Sequence, residues 1–143
     1  MITERYDFKA VCLKGDIYIL GGRNNRCKRI MSVDKYTAAS KTWCQVAKMY
    51  DDRRAFCVCG FTNKILIFGG RSYLVKPTNS CLQLDTSDYS WKKISTMNKE
   101  RAYAACAVYQ DRIVVCGGWN ENYRTLKSAE SYDVLPNKWS LQT

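Results

Sequence analysis

The sequence predicts an all-β protein made of three copies of one four-stranded antiparallel unit. Glycine pairs recur at intervals of 48 residues, at Gly21 and Gly22, Gly69 and Gly70, and Gly117 and Gly118. Tryptophans recur at the same interval, at Trp43, Trp91 and Trp139. No segment shows a sustained helical period of apolar residues, and self-similarity at a fixed period of this size indicates a repeat architecture.

Other residues keep the same register and set the expected boundaries of the copies. Methionines stand at Met1, Met49 and Met97, and arginines at Arg5, Arg53 and Arg101. We therefore expect three repeats, at residues 1–48, 49–96 and 97–143.

Each copy carries the signals of four strands in the same order. The first strand is small and apolar, with the sequences AVCL, AFCVCGF and AYAACAVY. A short polar hairpin connection leads to a second strand, IYIL, ILIF or IVVC, which ends at the glycine pair. Apolar, largely β-branched runs bounded by turn residues are typical of buried strands. A polar loop then leads to a third strand around Tyr36, Leu84 or Tyr132 and to a fourth that begins at the tryptophan.

Residues that recur in every copy are interpreted as scaffold. The glycines let the backbone turn where a side chain would clash. The three tryptophans are predicted to pack between neighbouring sheets, because large aromatic side chains dominate core energetics. For Arg5, Arg53 and Arg101 we expect hydrogen bonds to backbone carbonyls where one repeat passes to the next, and a functional role is the alternative.

The order of these motifs resembles the kelch-repeat family over the whole chain, most closely the propellers of BTB-containing kelch-like proteins. The glycine pair is followed by Tyr36-Thr37, Leu84-Asp85 or Tyr132-Asp133, then by the tryptophan. The resemblance implies three blades of a partial, open β-propeller. Propellers typically close with about four to eight blades, so we expect either a longer protein or self-association through the open blade faces.

Composition argues against catalysis and against metal or cofactor binding. The chain has no histidine, which leaves no Ser-His-Asp or Cys-His arrangement and makes a zinc site improbable. It has neither a Walker loop nor an apolar run of membrane-spanning length. The eight cysteines include no Cys-x-x-Cys pair, and we expect reduced, buried thiols in a cytoplasmic protein.

The net charge of +10 is concentrated in the first copy, which has ten Lys or Arg residues against four acids. Its post-glycine loop holds Arg23, Asn25, Arg26, Lys28 and Arg29. This basic run does not repeat, so the scaffold does not require it. Either it is solvated surface or it binds an acidic partner, since loops on rigid scaffolds carry function and arginine matches carboxylates. Nucleic acid is disfavoured because no aromatic residues alternate with these cations.

The other two post-glycine loops supply further candidate partner-binding residues. These candidates are Arg71, Tyr73, Trp119, Asn120, Tyr123 and Arg124. The resemblance implies that the three loops share one face that binds partner peptides. It also implies that Arg23 and Asn25 match residues that bind acidic degrons in family members. It also implies a substrate adaptor for a cullin-type ubiquitin ligase. An actin-binding, cytoskeleton-associated protein is the alternative.

Overall fold

The computed structural model describes residues 1–72 and 76–142, which contain twelve β-strands and no helix. The first repeat holds β1 (Lys9–Leu13), β2 (Asp16–Leu20), β3 (Ser32–Thr37) and β4 (Thr42–Lys48). The second holds β5 (Cys57–Phe61), β6 (Lys64–Phe68), β7 (Cys81–Asp85) and β8 (Trp91–Ile94). The third holds β9 (Ala105–Tyr109), β10 (Arg112–Cys116), β11 (Ala129–Asp133) and β12 (Lys138–Gln142).

Each repeat forms one antiparallel sheet whose strands lie side by side in chain order. The first strands of the three repeats are neighbours in space, because β5 contacts both β1 and β9. The three sheets therefore fan out from a shared inner edge, as the blades of an open propeller do. The predicted fold class is confirmed.

The core has two layers, one on each side of the second blade. Strand β6 shows why, because its side chains alternate between the two faces of the sheet. Ile65 and Ile67 pack toward the first blade, whereas Leu66 and Phe68 pack toward the third. All four are almost fully buried. A continuous apolar strand is thus explained by a sheet that is covered on both faces.

The second glycine of each pair lets two backbone segments approach closely. Gly70 has a φ of 93°, and a Cβ atom built on it would lie 2.7 Å from the carbonyl oxygen of Arg54. Gly118 has a φ of 81°, and its Cβ would lie 2.6 Å from the Ala102 carbonyl oxygen. Any larger residue would push the start of the post-glycine loop away from the segment before the first strand. These glycines therefore position the post-glycine loops.

The recurring arginines join backbone within their own repeat. Arg53 donates to the carbonyl oxygen of Gly69 at 3.1 Å, and Arg101 donates to that of Gly117 at 2.8 Å. Arg101 is fully buried and also contacts Glu130, with 3.2 Å between Nε and Oε1. The expected hydrogen bonds to backbone carbonyls are therefore confirmed, and the carbonyl acceptors of Arg53 and Arg101 belong to the same blade as the arginine.

Two of the recurring tryptophans link neighbouring blades. The Nε1 of Trp91 donates to the Lys48 carbonyl at 2.7 Å, and that of Trp139 donates to the Ser95 carbonyl at 2.8 Å. Each acceptor belongs to the preceding blade. Trp43 differs, because the described residues place no blade before it, and its ring packs against Tyr36 at 5.1 Å. Its predicted position between two sheets stays a prediction.

The cysteines are all free thiols, but only some of them are buried. The buried ones are Cys57, Cys59 and Cys81, and Cys106 is half-buried. The exposed ones are Cys12, Cys27, Cys44 and Cys116. The expectation of buried thiols is corrected for these four: Cys12, Cys44 and Cys116 lie on the first and third blades, which within the described residues are covered on one face, and Cys27 lies in a post-glycine loop. The described part of the chain contains no helix long and apolar enough to cross a membrane and no cluster of three possible metal ligands.

Candidate partner-binding face

The three post-glycine loops begin at equivalent places. Arg23, Arg71 and Trp119, the first loop residues, each form an antiparallel bridge with the segment that precedes the first strand of the same blade, which we call the entry segment. Their bridge partners are Tyr6, Arg54 and Ala102, respectively. In the second blade the amide of Arg71 donates to the Arg54 carbonyl at 2.8 Å and the amide of Arg54 donates back at 3.1 Å. The same backbone pairing thus presents an arginine in the first two blades and a tryptophan in the third.

The loops of the first and third blades share a further internal support. The Oδ1 atom of Asn24 accepts hydrogen bonds from the amides of Arg26 and Lys28, both at 3.0 Å. Two periods later, Oδ1 of Asn120 accepts from the amides of Asn122 and Arg124. The side-chain oxygen of Asn120, a candidate for partner binding, is therefore used to hold its own loop.

The residues of the basic run in the first loop have different surroundings. Arg26 and Lys28 are exposed near the loop tip. The exposed Asn25 lies 3.4 Å from a carboxylate oxygen of Glu4. Arg29 forms an ion pair with Asp52 of the second blade. Of these residues, Arg29 also lines the recessed site described next, whereas Asn25, Arg26 and Lys28 do not.

A recessed site lies between the first and second blades on the side of the post-glycine loops. It is a pocket of about 220 Å³, which we call the arginine pocket. Its cationic lining is Arg23, Arg29, Arg53, Arg54 and Arg71, and its acidic lining is Asp7 and Asp52. The rest of the wall is Gly22, Ile30, Met31, Met49 and Ser72.

Three of these arginines concentrate positive charge in the pocket. Arg53 is held by backbone carbonyls and Asp51, and Arg29 is paired with Asp52. The pKa of Arg54 is lowered by desolvation and by the nearby positive charges of Arg71 and Arg23. Like charges brought together in a partly desolvated place favour the binding of an anion.

Aromatic side chains extend the face toward the third blade. The ring of Trp119 stacks on Tyr103 at 5.9 Å and on Tyr123 at 5.1 Å, with interplanar angles of 19° and 21°. Tyr103 is 58% exposed and Tyr123 is 69% exposed, so both present a broad surface to a partner. We call these three residues the aromatic patch. The guanidinium carbon of Arg71 lies 5.6 Å from the centre of the Trp119 ring and so connects the patch to the arginine pocket.

Comparison with known proteins agrees with this architecture. The family model described as the KLHDC2/KLHL20/DRC7 Kelch-repeats domain matches residues 3–143. The chain belongs to this kelch-repeat family. The resemblance drawn from the glycine pairs and tryptophans is therefore confirmed, and a kelch-repeat propeller domain is a non-catalytic protein-interaction fold. No curated protein matches the chain.

The kelch blades bring together residues that the sequence analysis treated separately, and they add two that it missed. Arg23, Arg71, Trp119 and Tyr123 contribute to the pocket or the patch, and Arg124 is exposed beside the latter. Tyr73 lies outside the described residues. The missed residues, Arg54 and Tyr103, belong to entry segments rather than to post-glycine loops. A signal was available, because neither residue recurs at the equivalent positions of the other repeats.

Proposed function

We propose that this kelch domain binds an acidic peptide segment of a protein partner across the arginine pocket and the aromatic patch. An acidic side chain of the partner contacts Arg23, Arg54 and Arg71, while a neighbouring apolar side chain packs on Trp119. The observation that carries the proposal is the position of Arg71, which lines the pocket and also lies over the Trp119 ring. One peptide can therefore engage both parts.

The chemistry of the two parts is complementary. Arginine presents planar donors that match a carboxylate bidentately, and such charge-assisted hydrogen bonds are stronger than neutral ones. Tryptophan, tyrosine and arginine are the residues most often found at the energetic centres of protein interfaces. The arginine pocket orients the bound peptide and speeds its association with the domain. The aromatic patch adds apolar contact area that the charged groups alone would not provide.

We further propose that the domain recognises substrates for a cullin-type ubiquitin ligase in the cytoplasm. Membership of the kelch-repeat family supports this role, and the compact pairing of pocket and patch suits capture of a short peptide. Actin binding is the competing outcome. It would require a broad surface contact that does not depend on these few side chains.

The test is a fluorescence-anisotropy titration with a labelled peptide library rich in Asp and Glu, beside a library in which Lys replaces those acids. Trp119→Ala and Arg71→Ala should each weaken binding of the acidic library at least tenfold. Arg23→Lys should also weaken it, because lysine keeps the charge but loses the planar fork. Lys92→Ala, an exposed change on β8, is the control and should leave affinity unchanged.

The affinity for the acidic library should also fall as the salt concentration rises. Exposed charge pairs are screened because the Debye length falls from about 10 Å at 0.1 M salt to about 3 Å at 1 M. Equal binding of the acidic and Lys-substituted libraries would contradict the proposal. Cosedimentation with filamentous actin that survives Trp119→Ala and Arg71→Ala would favour the cytoskeletal role instead.

A further inference from the structure

We infer that the arginine pocket accepts a phosphoryl group, so that the preferred partner segment is a phosphorylated peptide. This inference rests on the proposed function, because it places the phosphate in the same face that binds the peptide. Three observations support it: an unsatisfied donor, the charge balance of the pocket, and the residues at the equivalent place between the second and third blades.

The first observation is a buried donor in the pocket wall. The Nε atom of Arg71 is buried and has no hydrogen-bond partner among the described residues. A buried polar group without a partner is unfavourable by about 1–3 kcal/mol, and more when the group is charged. An acceptor supplied by a ligand would remove this penalty. A phosphoryl group carries three strong acceptor oxygens, more than a carboxylate offers.

The second observation is the charge balance. Arg29 and Arg53 are paired with Asp52 and Asp51. The remaining ionised groups lining the pocket are Arg23, Arg54, Arg71 and Asp7, which together carry a formal charge of about +2. A phosphoserine carries about −1.5 to −2 at pH 7, whereas a glutamate carries about −1. The phosphoryl group therefore neutralises the pocket more completely.

The lowered pKa of Arg54 supports the same conclusion, because its causes are desolvation and the charges of Arg71 and Arg23. A bound dianion would relieve that repulsion directly. The volume is also adequate: the pocket of about 220 Å³ is much larger than the ~30 Å³ share of one liquid water.

The third observation is that the scaffold does not require these arginines. One period further along the chain, the residues equivalent to Arg23, Arg54 and Arg71 are Arg71, Ala102 and Trp119. At these three positions the junction between the second and third blades therefore has one cation instead of three. Since both junctions are built on the same backbone bridges, the extra arginines are explained by a ligand rather than by folding.

The experiment uses the full chain and three peptide libraries of matched composition, with phosphoserine, glutamate or serine at one central position and acidic and apolar residues around it. We expect the phosphoserine library to bind at least tenfold more tightly than the glutamate library. The advantage should shrink as the pH falls from 7.5 to 5.5, because the second phosphate pKa is about 6.

Two variants of one residue localise the phosphate. Arg54→Gln should abolish the preference for phosphoserine, and Arg54→Lys should weaken it because the fork is lost. Lys92→Gln, which removes one exposed positive charge from β8, is the matched control and should preserve the preference. Urea unfolding of each variant verifies that the fold is intact, and Arg54→Lys keeps the test valid if Arg54→Gln unfolds.

The outcomes separate the two claims. Equal affinity for the phosphoserine and glutamate libraries, with loss of both in Trp119→Ala, would overturn the phosphate site and leave the peptide-binding function standing. Failure of all three libraries to bind would overturn both. Binding to vesicles containing phosphoinositide, with no preference among the peptides, would assign the phosphate to a lipid headgroup and overturn the phosphopeptide inference.

Discussion

The post-glycine loops of the first and third blades have the same internal support and opposite side-chain chemistry. In both, an asparagine oxygen caps the amides two and four residues later, through Asn24 in one and Asn120 in the other. In both, the residue three positions after that asparagine has a φ of 57°, at Cys27 and Tyr123. Yet the first loop displays cations, and the third displays stacked aromatic rings.

This difference separates two kinds of information in the chain. The residues that recur determine the path of the backbone, and the residues that vary at fixed backbone positions determine what the face can bind. Arg23 and Trp119 make the same type of bridge, but one lines a polar pocket and the other forms the centre of an aromatic patch. Specificity can therefore change from blade to blade without any change in fold.

The largest effect should come from a recurring residue. Arg101→Met removes a fully buried cation, and it leaves the buried Glu130 without its ion-pair partner and the Gly117 carbonyl without its guanidinium donor. Breaking a buried ion pair on one side typically destabilises by about 3–5 kcal/mol. Urea unfolding should therefore show a large loss of stability.

The matched control is Arg124→Met, which removes an exposed arginine of the third loop. Exposed substitutions usually change stability by less than about 0.5 kcal/mol. Similar shifts of the unfolding midpoint for the two variants would mean that recurring and non-recurring arginines do not differ as the comparison requires.

A smaller effect tests whether the two loops really share one support. Asn24→Ala and Asn120→Ala should each destabilise the chain by about 1 kcal/mol, the usual net contribution of a hydrogen bond. The two losses should agree within error when measured by urea unfolding. Asn122→Ala is the control, since its amide rather than its side chain takes part in the cap. A loss confined to one of the two loops would show that the supports are not equivalent.

The accessibility of the cysteines tests the covering of the second blade without altering stability. Brief alkylation of the native chain should label Cys12, Cys27, Cys44 and Cys116 and spare Cys57, Cys59 and Cys81. Burial also raises the pKa of the Cys81 thiol, to about 12, which further slows its reaction because the thiolate is the nucleophile. Mass spectrometry of the digested chain measures the extent of labelling at the exposed and at the buried cysteines. Rapid labelling of Cys81 would contradict a second blade covered on both faces.

The strands and glycine turns could be predicted from sequence because they depend on local, recurring chemistry. The run ILIF before Gly69 predicts a buried strand by itself, and the structure confirms it as part of β6. The internal role of Asn120 was also readable, since Asn24 stands two periods before it. The charge patterns of the first and third loops do not indicate this role, because it depends on the matching positions of the two asparagines.

The arginine pocket and the aromatic patch could not be predicted in full because their side chains come from separate segments that meet only in the folded chain. Arg54 meets Arg23 and Arg71 only after two sheets pack at a particular angle, and the period alone does not specify that angle. Tyr103 similarly reaches Trp119 from an entry segment. The ion pair between Arg29 and Asp52 also joins two blades, so the pattern within a single repeat does not predict it.

The smallest expected change in stability comes from exchanging the variable residues of one loop for those of the other. Replacing NNRCK at residues 24–28 by NENYR keeps the capping asparagine and places a tyrosine where Tyr123 already adopts positive φ. Because the backbone requirements are met, the unfolding free energy should change by less than about 0.5 kcal/mol. Binding of acidic peptides should weaken modestly, since the exchange removes one positive charge at Arg26 and adds one negative charge at residue 25 while leaving Arg23 in place. The matched control is Cys27→Val, which puts a β-branched residue at a φ of 57° and should destabilise more than the whole exchange. If the exchanged loop unfolds the first blade while Cys27→Val does not, the loop sequence rather than the shared backbone geometry determines the structure, and the equivalence of the two loops fails.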